Sequence, residues 1–426
     1  GISETQFMRE CDASFKQGSK FISWIKGEGE FYYHPFTLPE KYTAINLAEH
    51  WLPYKDKISF CDAVCAQSYV SDRHLAPKQI ATPEYAGVMN YGYHLDAGKF
   101  AMLLKKHCIE VLGVTYISDN VTGVNEGEMG EIASLNTQMN GQLEGDLFID
   151  CTGFAALLIG KHYQIPFKEE RHVLFNDSAL AVQVPYTRPD APIESCTQST
   201  ATSQGWIWDI GLTTRRGVGH VFSSAYTSDD QADQLLRDYL AKSIGREAAD
   251  KVSPRKLSFT PGYREKFWHK NCVAVGIAAG FIEPLEATAL ALIELSAQII
   301  SEQLPADHVV MDIAAKRFNE KFAPRWVRII EFLKLHYVLS QRRDSDYWRD
   351  NCDPKSMPAS LQEQLELWKY QLPWSYDAVY ASEMFPSASF QYILFGMGYD
   401  NHYGSSRKRD HNMKAEMAHK VFEENR

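Results

Sequence analysis

The chain has no long run of lysine and arginine, and its formal net charge is −10 over 426 residues. A nucleic-acid backbone needs a dense positive surface, so nucleic acid is excluded as the main partner. No apolar stretch reaches the roughly 18 residues that a membrane-spanning helix requires. None of the eight cysteines forms a CxxC pair, which removes the usual zinc-ribbon and dithiol motifs. Cys61 and Cys65 could share a helix face, but two thiols alone make a poor metal site. Dispersed cysteines suit a reducing compartment, and a cytoplasmic location is expected. No His/Asp/Glu spacing matches a metal centre, and no GxSxG nucleophile elbow occurs. There are no internal repeats and no low-complexity tracts.

A GxGxxG following a strand is also missing. Its absence argues against a dinucleotide-binding fold, unless a segment ahead of Gly1 carries it. The opening residues, "GISETQFMRE", are neither a methionine start nor a signal peptide. They read as the middle of a chain, so a leading segment is expected to be absent.

What is present is an ordinary globular composition, 45% apolar and 23% charged, long enough for more than one domain-sized unit. Tyrosine and phenylalanine number 22 each and tryptophan 9. Such abundance suits either a pocket for flat ligands or large aromatic cores.

Periodicity predicts a helix over 96–111 and a strand over 115–124. A meander is expected next, with strands near 131–135 and 146–150 and an Asn140-Gly141 turn between them. "LFID" reads as a short strand buried on both faces, ending at a glycine in "CTG". "NCVAVGIAAGFIEPLEATALALIELSAQIISEQL" repeats the form: strand, small-residue turn, helix. That geometry commonly cradles a cofactor. Mixed β segments lie between, and from about Met311 the chain reads as mostly helical.

Four short stretches carry candidate chemistry. "ASFKQGSKF" holds Lys16 and Lys20. Either these are solvated lysines of a surface helix or loop, or one points into a pocket where burial tunes its amine. "GWIWDIG" puts Trp206 and Trp208 on one strand face and Ile207 on the other. They are core residues or a rigid apolar wall beside a reactive species. "YYHPF" places His34 two residues before Phe36, a structural histidine or part of a stacking pocket. In "GFIEPLEATALALIELSA" Pro284 suits the first turn of a helix. The backbone N–H groups from Ala287 to Leu290 would then be open to an anion. Glu286 could be a helix-dipole carboxylate worth under about 1 kcal/mol. That would not explain so small and apolar a turn.

Together these stretches, with "HLDAGKF", "DLFIDCTGF" and "HYVLSQRRDSDYW", resemble the flavin-dependent halogenases of the tryptophan-halogenase type. They occur in family order over about residues 1–398. The tryptophan motif with the EPLE turn is specific to that family, whereas "DLFIDCTG" is shared with flavin monooxygenases generally. The resemblance implies an α/β (α+β) fold. It comprises a flavin-monooxygenase-like FAD module with a Rossmann-type sheet, a β-sheet substrate layer and a mostly helical C-terminal part. Residues 1–310 would form the FAD and catalytic module and 311–426 the helical region covering substrate. The chemistry implied is that reduced FAD and oxygen convert halide, chloride or bromide, to hypohalous acid. A lysine takes this up by chloramination or by hydrogen bonding, and an aromatic ring is halogenated.

By resemblance, Lys16 matches the catalytic lysine and Glu286 the glutamate that works with it. Thr288 and Ala289 match the backbone halide site, and Val121, Ile277 and Leu290 match FAD contacts. His34 and Phe36 match positions lining the substrate pocket, and Trp206 and Trp208 match the motif thought to discourage direct monooxygenation. The chain departs from the family pattern in three places. Gly211 stands where many members have proline, and Ala287 and Ala289 replace the serine and glycine of the usual turn. The segment "SYDAVYASEMFPSASFQY" lacks the tyrosine pair and tryptophan that clamp free tryptophan, with Phe385 near the latter's place. An indole-like substrate is expected rather than the free amino acid. A separate flavin reductase is the expected partner, and the oligomeric state, homodimer included, stays open. A flavin-dependent hydroxylase and a non-catalytic flavoprotein are the alternatives.

Overall fold

The computed structural model describes residues 1–378, 383–402 and 414–425. The chain divides into two compact units, each discontinuous in sequence. The first comprises Gly1–Leu112, Ser178–Ser258 and Glu331–Arg426; the second comprises Gly113–Asp177 and Phe259–Ile330. Segments 1–310 and 311–426 therefore each contribute to both units. Among the described residues no helix is long and apolar enough to cross a membrane.

The first unit is built on a seven-stranded sheet. Its order is Arg255–Ser258, Ser178–Pro185, Arg215–Phe222, Gly205–Gly211, Thr197–Thr202, Gly18–Ile22 and Phe31–Pro35. All neighbours are antiparallel except Thr197–Thr202 and Gly18–Ile22, which run parallel. Alternation sends Leu180, Val184, Ile207, Val218 and Phe222 to one face. There they pack on Ala232, Leu236 and Leu240 of the helix Asp229–Ile244. Ser228 and Gln231 close that helix start as a capping box. Each fully buried leucine of this interface is worth about 1.5–3 kcal/mol.

A two-stranded sheet pairs Ser14–Lys16 with Gly92–His94, antiparallel. It is braced by the first helix, Glu4–Glu10, through Glu4. This buried carboxylate accepts Lys78 Nζ at 2.7 Å, the hydroxyls of Tyr91 and Tyr93 at 2.7 Å each, and the Tyr85 N–H at 2.8 Å. Burial alone would raise its pKa, but these four donors together bring it down to about 2. A carboxylate depressed in the fold contributes stability above its unfolded pKa of about 4.5 and loses it as pH falls toward the folded value. Unfolding free energy should therefore drop between pH 4.5 and pH 2 by about 2–3 kcal/mol more in the parent than in Glu4→Gln. Denaturant titrations of both proteins across that range check this; parallel curves would return Glu4 to a passive role.

In the second unit the expected meander is shorter than the pattern suggested. The ladder runs Val121–Glu126, Ile132–Thr137 and Gln142–Glu144. Gly141, at φ 73°, turns the chain straight into the third strand. Residues 115–120 are not strand. Asp119 instead accepts the N–H groups of Met139 and Asn140 and the Asn140 side chain, a local bonding pattern that competes with a ladder. Phe148–Asp150 does not join the meander: it pairs in parallel with Cys272–Ala274. Nor is it buried on both faces, since Ile149 is 42% exposed between buried Phe148 and Asp150. Beyond residue 310 the chain is helical as expected, with Met311–Val338, Asp346–Asn351, Ala359–Trp368, Ser387–Gly396 and Ala415–Glu424.

Candidate active site

Lys16 and Lys20, which local pattern alone does not separate, have different surroundings. Both lie on strands rather than on a surface helix or loop. Lys20 pairs with Asp72 at 2.9 Å near the surface. Lys16 is only 6% exposed, with its Nζ 5.5 Å from the centroid of the Phe36 ring. Gly92 stands directly opposite Lys16 across the ladder, and a Cβ there would lie 3.3 Å from Phe36 Cε2. A glycine at 92 therefore admits the ring beside the amine.

His34 is buried in an aromatic cluster of the same unit. Its ring lies 5.5 Å from Phe332 and 6.2 Å from both Phe385 and Tyr392. Phe385 stacks on Phe332 at 3.8 Å with an interplanar angle of 17°. Residues 379–382 of the segment carrying Phe385 lie outside the described residues. The tryptophans share a face, as alternation requires, while Ile207 enters the opposite core. Trp206 is buried against Trp24, ring centroids 6.3 Å apart, and Trp208 is half-buried. Trp208 lies over Gly219, its partner on the next strand; any Cβ at 219 would meet the indole at 2.1 Å.

The second unit holds the acidic turn. The helix begins at Ala289, with Thr288 as N-cap, later than Pro284 suggested. Pro284 instead precedes a single 3-10 turn, Leu285–Ala287. The Ala287 N–H is consumed there, bonded to the Pro284 carbonyl at 3.0 Å, so the open N–H series is shorter than expected. Glu286 and Ala287 have φ of 67° and 54°, both left-handed. Ala289 does not: it is already helical, so replacing glycine by alanine there brings no strain. Glu283 is buried and accepts Asn176 Nδ2 at 2.7 Å, a structural acid.

Asp150 escaped the sequence reading. Fully buried, it accepts the Thr152 hydroxyl at 2.6 Å and the N–H groups of Leu158 and Ile159 at 2.9 and 2.8 Å. An Asp closing an apolar strand two residues before a Thr is the available signal for such a turn. The Val275 N–H donates to the Asp150 carbonyl at 3.0 Å, so the turns after the two parallel strands are tied together. Around them Phe154, Ile277 and Leu290 are 62%, 39% and 54% exposed. Ile293, one turn along from Leu290, lies 3.5 Å from where a Cβ on Gly276 would sit. Val121 opens the meander sheet and is 37% exposed.

The sequence model described as tryptophan halogenase matches residues 1–409. The chain belongs to the tryptophan halogenase family. It is 32% identical to tryptophan 6-halogenase SttH of Streptomyces toxytricini over 418 residues, 93% of this chain and 78% of that protein. The crystal structure of a tryptophan halogenase from Shewanella frigidimarina NCIMB 400 superposes with a TM-score of 0.96 at 49% identity, covering all of this chain and 81% of that one. BrvH, a flavin-dependent halogenase from Brevundimonas sp. BAL3, superposes at 0.87 with 31% identity over all of this chain and 85% of that one.

This halogenase is thus an enzyme of a flavin-dependent family that uses FAD and halide. Its second unit suits such a cofactor. Ligands of open α/β sheets bind outside the carboxyl ends of parallel strands, where Phe148–Asp150 and Cys272–Ala274 end in tied small-residue turns. The exposed Phe154, Ile277 and Leu290 offer the apolar surface that a flat ring system would cover. Among the described residues no cluster could hold a metal ion.

Proposed function

We propose that this halogenase installs chlorine or bromine on an electron-rich, indole-like aromatic, with hypohalous acid taken up at Lys16. When bound, reduced FAD supplies the two electrons by which oxygen and halide give hypohalous acid. The turns after Phe148–Asp150 and Cys272–Ala274, with Ile277 and Leu290, would hold it, and Val121 would add a contact. Thr288 and Ala289 would present backbone N–H groups to the halide at the start of a 14-residue helix. Reducing equivalents would come from a separate flavin reductase.

The observation that carries this reading is the burial of the Lys16 amine beside an aromatic ring. A buried ammonium beside the Phe36 ring is stabilised by the ring face and shielded from water. Its N–H groups are then a directed donor set for a small oxidant, in a medium where such bonds gain strength. The aromatic cluster of His34, Phe332, Phe385 and Tyr392 would form one wall of the pocket for an aromatic substrate. Trp206 and Trp208, which match the family's tryptophan motif, would discourage direct monooxygenation.

The test is mass spectrometry of an aromatic panel containing indole, substituted indoles, phenols and free tryptophan. It uses FAD, a flavin reductase, and chloride or bromide. Halogenated indoles exceeding halogenated tryptophan at least about tenfold, a 1.4 kcal/mol preference, is the expected result. Hydroxylated products without halogen would instead support the hydroxylase.

A further inference from the structure

The strand Phe31–Pro35 ends just before Phe36. The main-chain polar groups of Phe36 and Thr37 therefore need partners other than a ladder. All four have one. The Phe36 N–H donates to the Gln17 carbonyl at 3.0 Å, and the Phe36 carbonyl accepts Asn90 Nδ2 at 3.2 Å. The Thr37 N–H donates to Gln67 Oε1 at 2.8 Å, and the Thr37 carbonyl accepts the Tyr392 hydroxyl at 3.0 Å. The Asn90 N–H in turn donates to Thr37 Oγ1 at 3.2 Å.

Two glutamines, both buried, hold this frame. Gln67 Nε2 donates to the Asn90 carbonyl at 2.6 Å and to Gln17 Oε1 at 3.3 Å. Gln17 Nε2 donates to the Leu75 carbonyl at 2.7 Å and to Ser195 Oγ at 3.1 Å. The Gln17 N–H donates to the Ser195 carbonyl at 2.6 Å. A side-chain amide carries two N–H donors and an accepting oxygen. In both glutamines every donor and each oxygen is used. Reversing either amide would set donor against donor and oxygen against oxygen, so the pair has one orientation. A fully satisfied buried network rigidifies the chain it touches. This one touches the residue after Lys16 and the backbone that carries Phe36, whose ring centroid lies 5.5 Å from Lys16 Nζ. All of these residues belong to the first compact unit.

We propose that Gln67, acting with Gln17, is a positioning residue for Phe36. The amide pair completes the hydrogen bonding that the strand leaves open, and so sets where the ring stands for an aromatic substrate. This rests on the reading of the site as a halogenase pocket that Phe36 lines. An apolar side chain of the same length cannot replace the amide, because the position needs an acceptor for Thr37 and donors for Asn90 and Gln17 at once.

The test is steady-state halogenation of indole by the FAD-loaded enzyme with a flavin reductase and bromide. It compares the parent, Gln67→Met, Phe36→Ala and the double variant. KM for indole should rise about tenfold in Gln67→Met, the mark of a displaced pocket wall; fewer folded molecules would lower kcat and leave KM unmoved. In the Phe36→Ala background the same change should move KM by less than about twofold, because the ring it positions is gone. Ser68→Ala, next along the chain and equally buried, loses a 2.7 Å bond to Asp62 and should keep the parent KM. An unmoved KM in Gln67→Met overturns the inference, as does an equal rise in Ser68→Ala or an equal rise with and without the Phe36 ring. If Gln67→Met does not fold, Asn90→Ala, an exposed change that removes the donor to the Phe36 carbonyl, is judged by the same outcomes. A raised KM in Phe36→Ala beside an unmoved one in Gln67→Met strikes only the glutamine role. An unmoved KM in Phe36→Ala removes the pocket role of Phe36, and this inference with it.

Discussion

Replacing Lys16 by alanine should cut halogenated product by at least about a hundredfold, the usual cost of losing a directed donor to a reacting group, while flavin oxidation continues. The two outcomes separate because the residues sit in different compact units. Lys16 belongs to the first, whereas the turns proposed to hold FAD belong to the second. The substitution therefore removes an amine and leaves the turns proposed to hold FAD intact. Two controls sharpen the result. Lys16→Met keeps the length of the buried side chain, so a matching loss of product with an unchanged unfolding midpoint assigns the effect to the amine rather than to a cavity. Lys20→Ala removes a near-surface partner of Asp72, an interaction worth about 0–1 kcal/mol, and should leave turnover within about twofold. Product is quantified by mass spectrometry and flavin oxidation by absorbance in the same reaction. Wild-type product yield from Lys16→Ala would return Lys16 to a structural role.

Much of the fold could be read from the chain, and the misses have local causes. The helix Ala97–Glu110 lies within the expected 96–111, because Asp96 is a capping residue whose side chain accepts the Lys99 N–H at 3.0 Å. The tryptophan strand follows from alternation alone. Phe148–Asp150 reads as part of the local meander but pairs elsewhere, since its ladder partner lies more than a hundred residues away and nothing local specifies a parallel pairing. The strand over 115–120 failed because Asp119 bonds backbone N–H groups of the next turn. At the site, the residue types were legible but not their surroundings. No pattern in "ASFKQGSKF" separates the buried Lys16 from the ion-paired Lys20. Only the ladder shows that Gly92 faces Lys16 and makes room for Phe36. Asp150 went unassigned for the same reason: its partners, the N–H groups of Leu158 and Ile159, come from the fold.

Exchange of Glu286 for glutamine should slow product formation by about a hundredfold or more, in the range of a lost proton-transfer group, with little change in stability. As a helix-dipole acid, Glu286 would have to sit within the first helical turn, because the effect fades beyond it. It sits instead two residues ahead of the N-cap Thr288, in a turn of its own. That turn is strained: two successive non-glycine residues, Glu286 and Ala287, are left-handed. Each such residue costs of order 1–2 kcal/mol, and the conformation persists only where neighbours over-determine it. Here buried Ile282, Glu283 and Leu285 pin the chain on the near side, with Glu283 held by Asn176 at 2.7 Å. On the far side the helix Ala289–Glu302 does the same. Strain so anchored aims the one acid of the turn that is not buried in the core. Glutamine keeps that side chain's length and the backbone's shape but not the charge or the ability to accept a proton. A purely electrostatic role at the helix would give the opposite pattern, with stability down by under about 1 kcal/mol and turnover unchanged. Steady-state kinetics and unfolding of Glu286→Gln, measured on one preparation, decide between them.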